Sequence, residues 1–68
     1  MPPSKLRRKI AWEAARLIYQ QQVTGYYQAR MKAARRIQKG WVKPRDLPSN
    51  AEIRDELQSM ARTHEGPK

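Results

Sequence analysis

The stretch KLRRKIAWEAARLIYQQQV, residues 5–23, repeats apolar residues at the spacing of one face of an α-helix. This face consists of Leu6, Ile10, Ala14, Leu17, Ile18 and Gln21. Ser4 stands directly before the stretch and is a residue type that caps helix N-termini. The pattern predicts a helix over residues 5–23 that turns its apolar face to the core.

The stretch YYQARMKAARRIQK, residues 26–39, predicts a second helix. Its expected core stripe is Tyr27, Met31, Ala34 and Gln38, with Ala33 and Ile37 beside it. Gly40 stands where a glycine commonly ends a helix. Gly25 precedes the stretch, and a glycine inside a helix costs about 1 kcal/mol relative to alanine. Residues 5–39 therefore form either two helices or one long rod weakened at Gly25.

The stretch SNAE, residues 49–52, is a capping box at the start of a third helix. In such a box Ser49 accepts a hydrogen bond from the amide three residues on, while Glu52 reaches back to the amide of Ser49. The apolar face of the helix that follows consists of Ile53, Leu57, Met60 and Ala61. These signals predict a helix over residues 50–64.

Residues 40–48 read as a connector, because Pro44 and Pro48 each push the preceding residue out of helical conformation. We expect this connector to fold the third helix back onto the apolar face of either preceding helix. Trp41 and Leu47 are expected to fill the corner.

The whole chain of 68 residues is long enough for a single small domain that buries only about 60% of its unfolded surface. The sequence thus predicts one all-α module. Its segments are a leader at 1–4, a basic helical region at 5–39, the connector at 40–48, the capped helix at 49–64 and a tail at 65–68.

Composition argues against several classes of function. The chain has no cysteine and a single histidine, so neither a disulfide framework nor a cysteine–histidine zinc site is expected. Glu52, Asp55 and Glu56 follow a helix start, where negative charge is favourable without any catalytic role. No apolar run approaches the roughly 20 residues of a membrane span. We expect a non-enzymatic cytoplasmic (intracellular) protein without cofactor, small-molecule ligand or membrane partner.

Positive charge is concentrated in the first two-thirds of the chain. Residues 1–45 hold twelve Lys and Arg against Glu13 alone, which gives about +11, whereas residues 46–68 carry about −2. Self-repulsion of this size destabilises a compact state and is most easily tolerated where a polyanion is the partner. The distribution predicts a module that binds the phosphate backbone of RNA or DNA.

The expected binding residues come from two patterns. A helical wheel places Lys32, Arg35, Arg36 and Lys39 on one side of the second helix. Cations in the first turns of the first helix oppose the helix macrodipole, which indicates an anionic partner there. The full predicted set is Arg7, Arg8, Lys9, Arg16, Lys32, Arg35, Arg36, Lys39, Lys43 and Arg45.

A second ridge of the first helix interleaves cations with aromatic rings. Its members are Arg8, Trp12, Arg16, Tyr19 and Val23. An aromatic ring beside arginine can stack on an exposed base, so Trp12 and Tyr19 are candidates for stacking. The alternative, in which both rings pack against the second or third helix, stays open.

Two further interpretations concern protein partners. The basic helices could dock on an acidic protein surface or in a larger assembly. The stretch AARRIQKGW, residues 33–41, matches the first half of an IQ motif, but Val42 and Lys43 replace the Arg-Gly of its second half and Pro44 interrupts a long helix. Calmodulin-type binding is therefore a minor alternative.

Three runs together resemble the N-terminal helical leader of an uncharacterised group of bacterial proteins. The runs are RRKIAWEAARLIY, YYQARMKAARRIQKGWVKPRDLPSN and AEIRDELQSMARTHEG. In that group a nucleotidyltransferase-like domain and an HD-type region follow the leader. The resemblance implies an accessory helical module that packs against a catalytic domain or presents nucleic acid to it, and it carries over no catalytic residue. Because the sequence also lacks a recognition-helix signature, RNA is favoured over DNA.

Overall fold

The computed structural model describes residues 4–64 and has three α-helices in this range. They are α1 (Lys5–Tyr19), α2 (Tyr26–Ile37) and α3 (Asn50–His64), with a short 3₁₀ turn at Pro44–Asp46 in the connector. The predicted all-α class is confirmed, and the first forty residues form two helices rather than one rod. Residues 1–3 of the expected leader and the expected tail at 65–68 lie outside the described residues.

The first helix ends at Tyr19, four residues earlier than predicted. The amide of Gln22 donates to the Leu17 carbonyl and that of Gln21 to the Ile18 carbonyl, both at 2.9 Å. Gln21 has a φ of 60°. This is a Schellman motif, whose left-handed position is usually a glycine. A glutamine at this position gave no local signal for the end of the helix.

The second helix is also shorter than predicted. It begins after Gly25, whose φ of −113° is open to any residue, and it ends at Ile37 because Gln38 is extended (φ −136°, ψ 120°). Gly40 takes the left-handed conformation (φ 89°) three residues beyond the helix end. Lys39 therefore lies in the connector instead of the last helical turn.

The first helix is the centre of the structure, because α2 and α3 both pack on it and hardly contact each other. Ile10, Leu17 and Ile53 are among the largest fully buried side chains. The rest of the buried cluster consists of Ala14, Ala15, Ala29, Ala33 and Ala34. Leu57 and Met60 of α3 pack against this cluster. Of the two docking modes expected for the third helix, packing against α1 is the one observed.

The core face of α2 lies about 100° around the helix from the centre of the predicted stripe, although Ala34 of that stripe and the neighbouring Ala33 are buried as expected. Ala29 and Ala33 are fully buried, with Tyr26 and Ile37 packed beside them, whereas Tyr27 is 68% exposed. The hydrophobic signal of this helix is weak because its contact with α1 is made by alanines. The packing on α1, and not the larger side chains, decides which face is buried.

The corner between α2 and α3 also differs from the prediction. Trp41 is 73% exposed and does not fill the corner. Leu47 packs against the core, as expected, and beside it Pro48 is fully buried while Trp41 is not. Because α2 ends early, Trp41 lies in an irregular stretch ahead of the 3₁₀ turn.

The capping box is confirmed and also joins α3 to α1. The Ser49 amide donates to Glu52 Oε1 (2.9 Å), and the Glu52 amide donates to Ser49 Oγ (3.2 Å). Arg7 Nε donates to both carboxylate oxygens of Glu52, at 3.1 and 2.9 Å, and Arg7 Nη2 donates to Oε1 as well. These Arg7 hydrogen bonds are the main cause that lowers the pKa of Glu52 to about 2.

Two further side-chain contacts fix the connector. Ser4 Oγ accepts from the Arg7 amide (3.1 Å), which confirms Ser4 as the N-cap of α1, and its hydroxyl donates to Asp46 Oδ1 (3.0 Å). On the other side Arg30 of α2 donates to Asn50 Oδ1 (2.8 Å). The start of α3 is therefore held from both α1 and α2.

Gln21→Gly should stabilise the protein by about 1 kcal/mol, because glycine takes the left-handed conformation without the Cβ clash of glutamine. Urea denaturation followed by circular dichroism measures the change. Gln22→Gly is the matched control, since Gln21 is the one non-glycine residue of the described range with positive φ. Equal effects of the two substitutions would contradict the assigned turn.

Acid should weaken the contact between Arg7 and Glu52. Because folding lowers the pKa of Glu52 from 4.5 to about 2, its contribution is present above pH 4.5 and is lost as the pH falls toward 2. Glu52→Gln should lower stability at neutral pH by about 1–2 kcal/mol, allowing for solvent screening, and reduce the acid-dependent loss. Arg7→Gln removes the same ion pair and should reduce the pH dependence of the free energy of unfolding by the same amount. If the Glu52→Gln protein lost as much stability between pH 4.5 and pH 2 as the wild type does, this assignment would be disproved.

Candidate functional site: the outer face of α1

The outer face of α1, the side opposite its fully buried residues, is strongly cationic. Lys5, Arg8, Lys9 and Trp12 are its exposed residues, and they fall within about 100° of one another on the helical wheel. Tyr19, the other stacking candidate, lies in the same sector and is partly buried. Cations and an aromatic ring thus share one narrow strip.

An open groove runs over this strip. Lys5, Arg8, Lys9 and Trp12 line it from α1, together with Ile37 from α2 and Glu56 from α3. Trp12 is 49% exposed, so it is neither fully open nor buried, and the alternative in which it packs against α2 or α3 stays open. About half of the surface of Trp12 is therefore accessible to a ligand.

Glu13, at the edge of the groove, neutralises two of the predicted binding residues. Glu13 is only 8% exposed; its carboxylate accepts from Arg16 Nη2 (2.6 Å) and Arg16 Nε (3.0 Å) and forms an ion pair with Arg36, whose Nε lies 3.1 Å away. The Arg16 hydrogen bonds lower the pKa of Glu13, although burial acts in the opposite direction. The carboxylate therefore stays ionised and ties α1 to α2.

Arg7 and Arg16 have partners inside the chain. The anion expected for Arg7 in the first turn of α1 is Glu52, and Arg16 is bound to Glu13. Both guanidinium groups serve the packing of the helices, so we leave them out of the proposed binding surface.

The members of the predicted stripe on α2 have different surroundings. Arg36 is drawn to Glu13, whereas Arg35 lines a second depression together with Met31 and Trp41. Lys32 is half-buried and Lys39 lies beyond the helix end. Lys43 and Arg45, the remaining predicted residues, are exposed in the connector region.

Lys5 is a groove residue that the sequence prediction missed. Its spacing to Lys9 and Trp12, four and seven residues, places all three on one face of a helix and was visible in the sequence. The prediction followed the ridge from Arg8 and therefore omitted the first residue of the helix.

The described residues contain no group of three acidic or histidine side chains able to hold a metal ion. Between residues 4 and 64 no helix is both long and apolar enough to cross a membrane. What the groove offers a ligand is positive charge and an aromatic surface.

No protein-family model matches the chain, and comparisons with curated proteins and with solved structures give no match. The resemblance to the leader of nucleotidyltransferase-like proteins stays a prediction. Function is therefore argued from the geometry and charge of the chain itself.

Glu13→Gln should separate stability from binding. Loss of the charged acceptor of two arginines should lower the free energy of unfolding by about 1–2 kcal/mol. The same change releases Arg16 and Arg36, so binding to a polyanion such as heparin should tighten and its salt dependence should become steeper. Isothermal titration and urea denaturation measure the two effects.

Glu56→Gln is the matched control, because it also removes one negative charge from the groove but breaks no ion pair among the described residues. It should tighten heparin binding with little loss of stability. If the folded Glu13→Gln protein bound heparin more weakly than the wild type, the groove would not be the anion-binding surface.

Proposed function

We propose that the chain is a non-catalytic helical module that binds the phosphate backbone of RNA or DNA along the outer face of α1. One observation carries the proposal: Lys5, Arg8 and Lys9 surround the half-exposed Trp12, and none of the three cations forms an ion pair with another described residue. Cations that neutralise phosphates release counterions, which supplies affinity for any nucleic-acid sequence.

The distribution of the acids supports this proposal. Glu13 and Glu52 are bound to arginines, and Asp46 accepts from Ser4. The acids nearest in sequence to the amino-terminal cations are thus used inside the fold. The outer cations of α1 form no ion pair among the described residues and share their groove with Glu56, so part of their mutual repulsion remains and a polyanion would relieve it.

The packing of α1 bears on the choice of polymer. A helix that reads duplex DNA enters a major groove about 12 Å wide, which is little more than the diameter of one helix. Both flanks of α1 are covered by α2 and α3. Because α1 presents only a narrow sector, it is a poor recognition helix, and we favour RNA and backbone contacts over base reading in DNA.

A second candidate function is docking on an acidic protein surface, such as that of a nucleotidyltransferase-type domain. It is favoured by Tyr27 and Trp41, which are 68% and 73% exposed, and by the depression that Met31 and Arg35 line beside Trp41. Exposed aromatic residues and arginine are common anchors of protein interfaces. Substitution of Tyr27 and Trp41 by serine should abolish such docking and spare polyanion binding.

The calmodulin-type alternative receives no support from the course of α2. The basic stretch that resembles an IQ motif ends its helix at Ile37, and Gln38 is already extended. A partner that wraps an amphipathic helix needs that helix to continue through its anchor residues.

The double substitution Arg8→Gln/Lys9→Gln tests the proposed function. Each lost phosphate contact should reduce the slope of log K against log salt by about 0.7–0.9, so the double variant should flatten it by roughly 1.5. The measurement is fluorescence anisotropy of a labelled single-stranded RNA at several salt concentrations.

Arg54→Gln/Arg62→Gln is the charge-matched control, since it removes two exposed cations from α3. Its slope should stay close to that of the wild type. Equal flattening by both pairs would mean that net charge, and not the outer face of α1, governs binding.

A further inference from the structure

We infer that the groove at Trp12 binds an unpaired base, so that the preferred ligand is single-stranded nucleic acid rather than a duplex. The inference rests on the proposed function, which requires only phosphate contacts. It adds base stacking on Trp12 to the phosphate contacts at the same surface.

Stacking needs an aromatic ring that is both accessible and held in place. Trp12 meets both conditions, since the residue is 49% exposed, is covered over the other half of its surface, and lines the groove. The other large aliphatic residues of α1 are turned to the core: Ile10 and Leu17 are fully buried, and Leu6 and Ile18 are partly buried against the core. Trp12 is therefore the large apolar side chain that α1 leaves open on its cationic side.

The charges around Trp12 distinguish it from an ordinary exposed aromatic residue, of which every protein surface has some. Arg8 and Lys9 stand one helical turn before Trp12, and Lys5 stands two turns before it. A base stacked on the indole would leave its flanking phosphates beside these cations. Cationic grooves with stacking aromatics are the usual means of binding single strands without sequence preference.

Glu56 makes the two sides of the groove differ in charge. It lines the α3 side, opposite the cations of α1, and forms no ion pair with another described residue. A carboxylate repels phosphate but can accept a hydrogen bond from an exocyclic amino group of a base. The sugar–phosphate backbone therefore runs along the α1 side, and the base points toward α3.

A nucleic-acid duplex cannot stack a base on Trp12 as easily as a single strand can. Its bases are stacked on one another, and exposing one of them costs a few kcal/mol. The covered flanks of α1 also keep the indole from reaching base edges in a groove of the duplex. A duplex is thus limited to phosphate contacts, while a single strand gains the stacking contact as well.

The chain contains two tryptophans, which permits a direct test. Trp41→Phe leaves Trp12 as the only tryptophan, which is excited selectively over the three tyrosines at the red edge of the absorption band, and Trp12→Phe leaves Trp41, which is exposed outside the groove. Each protein is titrated with a single-stranded oligonucleotide of about 12 nucleotides, a duplex of equal length, and inorganic polyphosphate. The single strand should quench Trp12 strongly, whereas polyphosphate should not, and Trp41 should change little with any ligand.

Affinities measured by anisotropy competition complete the test. Trp12→Ala should weaken single-strand binding by about tenfold to a hundredfold, while duplex and polyphosphate affinities change less than about twofold. Trp12→Tyr should restore most of the loss, because tyrosine also stacks. Trp41→Ala is the matched control and should leave the single-strand affinity unchanged.

The outcomes separate the two proposals. If the wild-type protein binds none of the three polyanions at low salt, the proposed function fails and the inference fails with it. If the protein binds all three but Trp12→Ala weakens them equally, or leaves all of them unchanged, the stacking site is refuted while phosphate binding stands. If Trp41→Ala selectively weakened single-strand binding, the base would stack at Trp41 instead of Trp12, and the inference would also be refuted.

Discussion

The structure depends on one constraint: α1 must provide the packing surface for two helices that hardly contact each other. Its buried residues consequently span about 200° of the helical wheel, from Glu13 through Ile10 to Ala15. The cations of α1 that have no partner are confined to the remaining sector, together with Trp12. The core and the cationic strip thus have a common cause. Because most of the circumference of α1 is buried, its charged side chains without an ion-pair partner can reach solvent only on the one remaining sector.

The acids then determine which cations remain available. Glu13 binds Arg16 of its own helix and Arg36 of α2, whereas Glu52 binds Arg7 of α1. Hydrogen bonds from Arg16 and Arg7 are the main causes that lower the pKa values of Glu13 and Glu52. These pairs offset part of the self-repulsion of the chain and fix the helices around α1. The same carboxylates that stabilise the fold withdraw Arg7 and Arg16 from external ligands, so a count of basic residues overstates the binding surface.

Sequence reasoning succeeded where the signal was local and failed where it was not. The capping box at Ser49 and the apolar face of α3 are local patterns, and both were confirmed. The end of α1 was missed because Gln21 adopts a conformation that usually requires glycine. The buried face of α2 was misplaced because alanines such as Ala33 carry little hydrophobic signal. The partner of Arg7 lies 45 residues away in sequence, and no spacing rule indicates such a pair.

The most direct measurement is a nuclear magnetic resonance titration of the isotope-labelled protein with a short single-stranded oligonucleotide at low and at raised salt. The account predicts that the largest chemical-shift changes occur at Lys5, Arg8, Lys9 and the indole of Trp12, and that they shrink as salt is added. Changes centred on the connector around Trp41, or none at low salt, would contradict the claim that the outer face of α1 binds an anionic polymer.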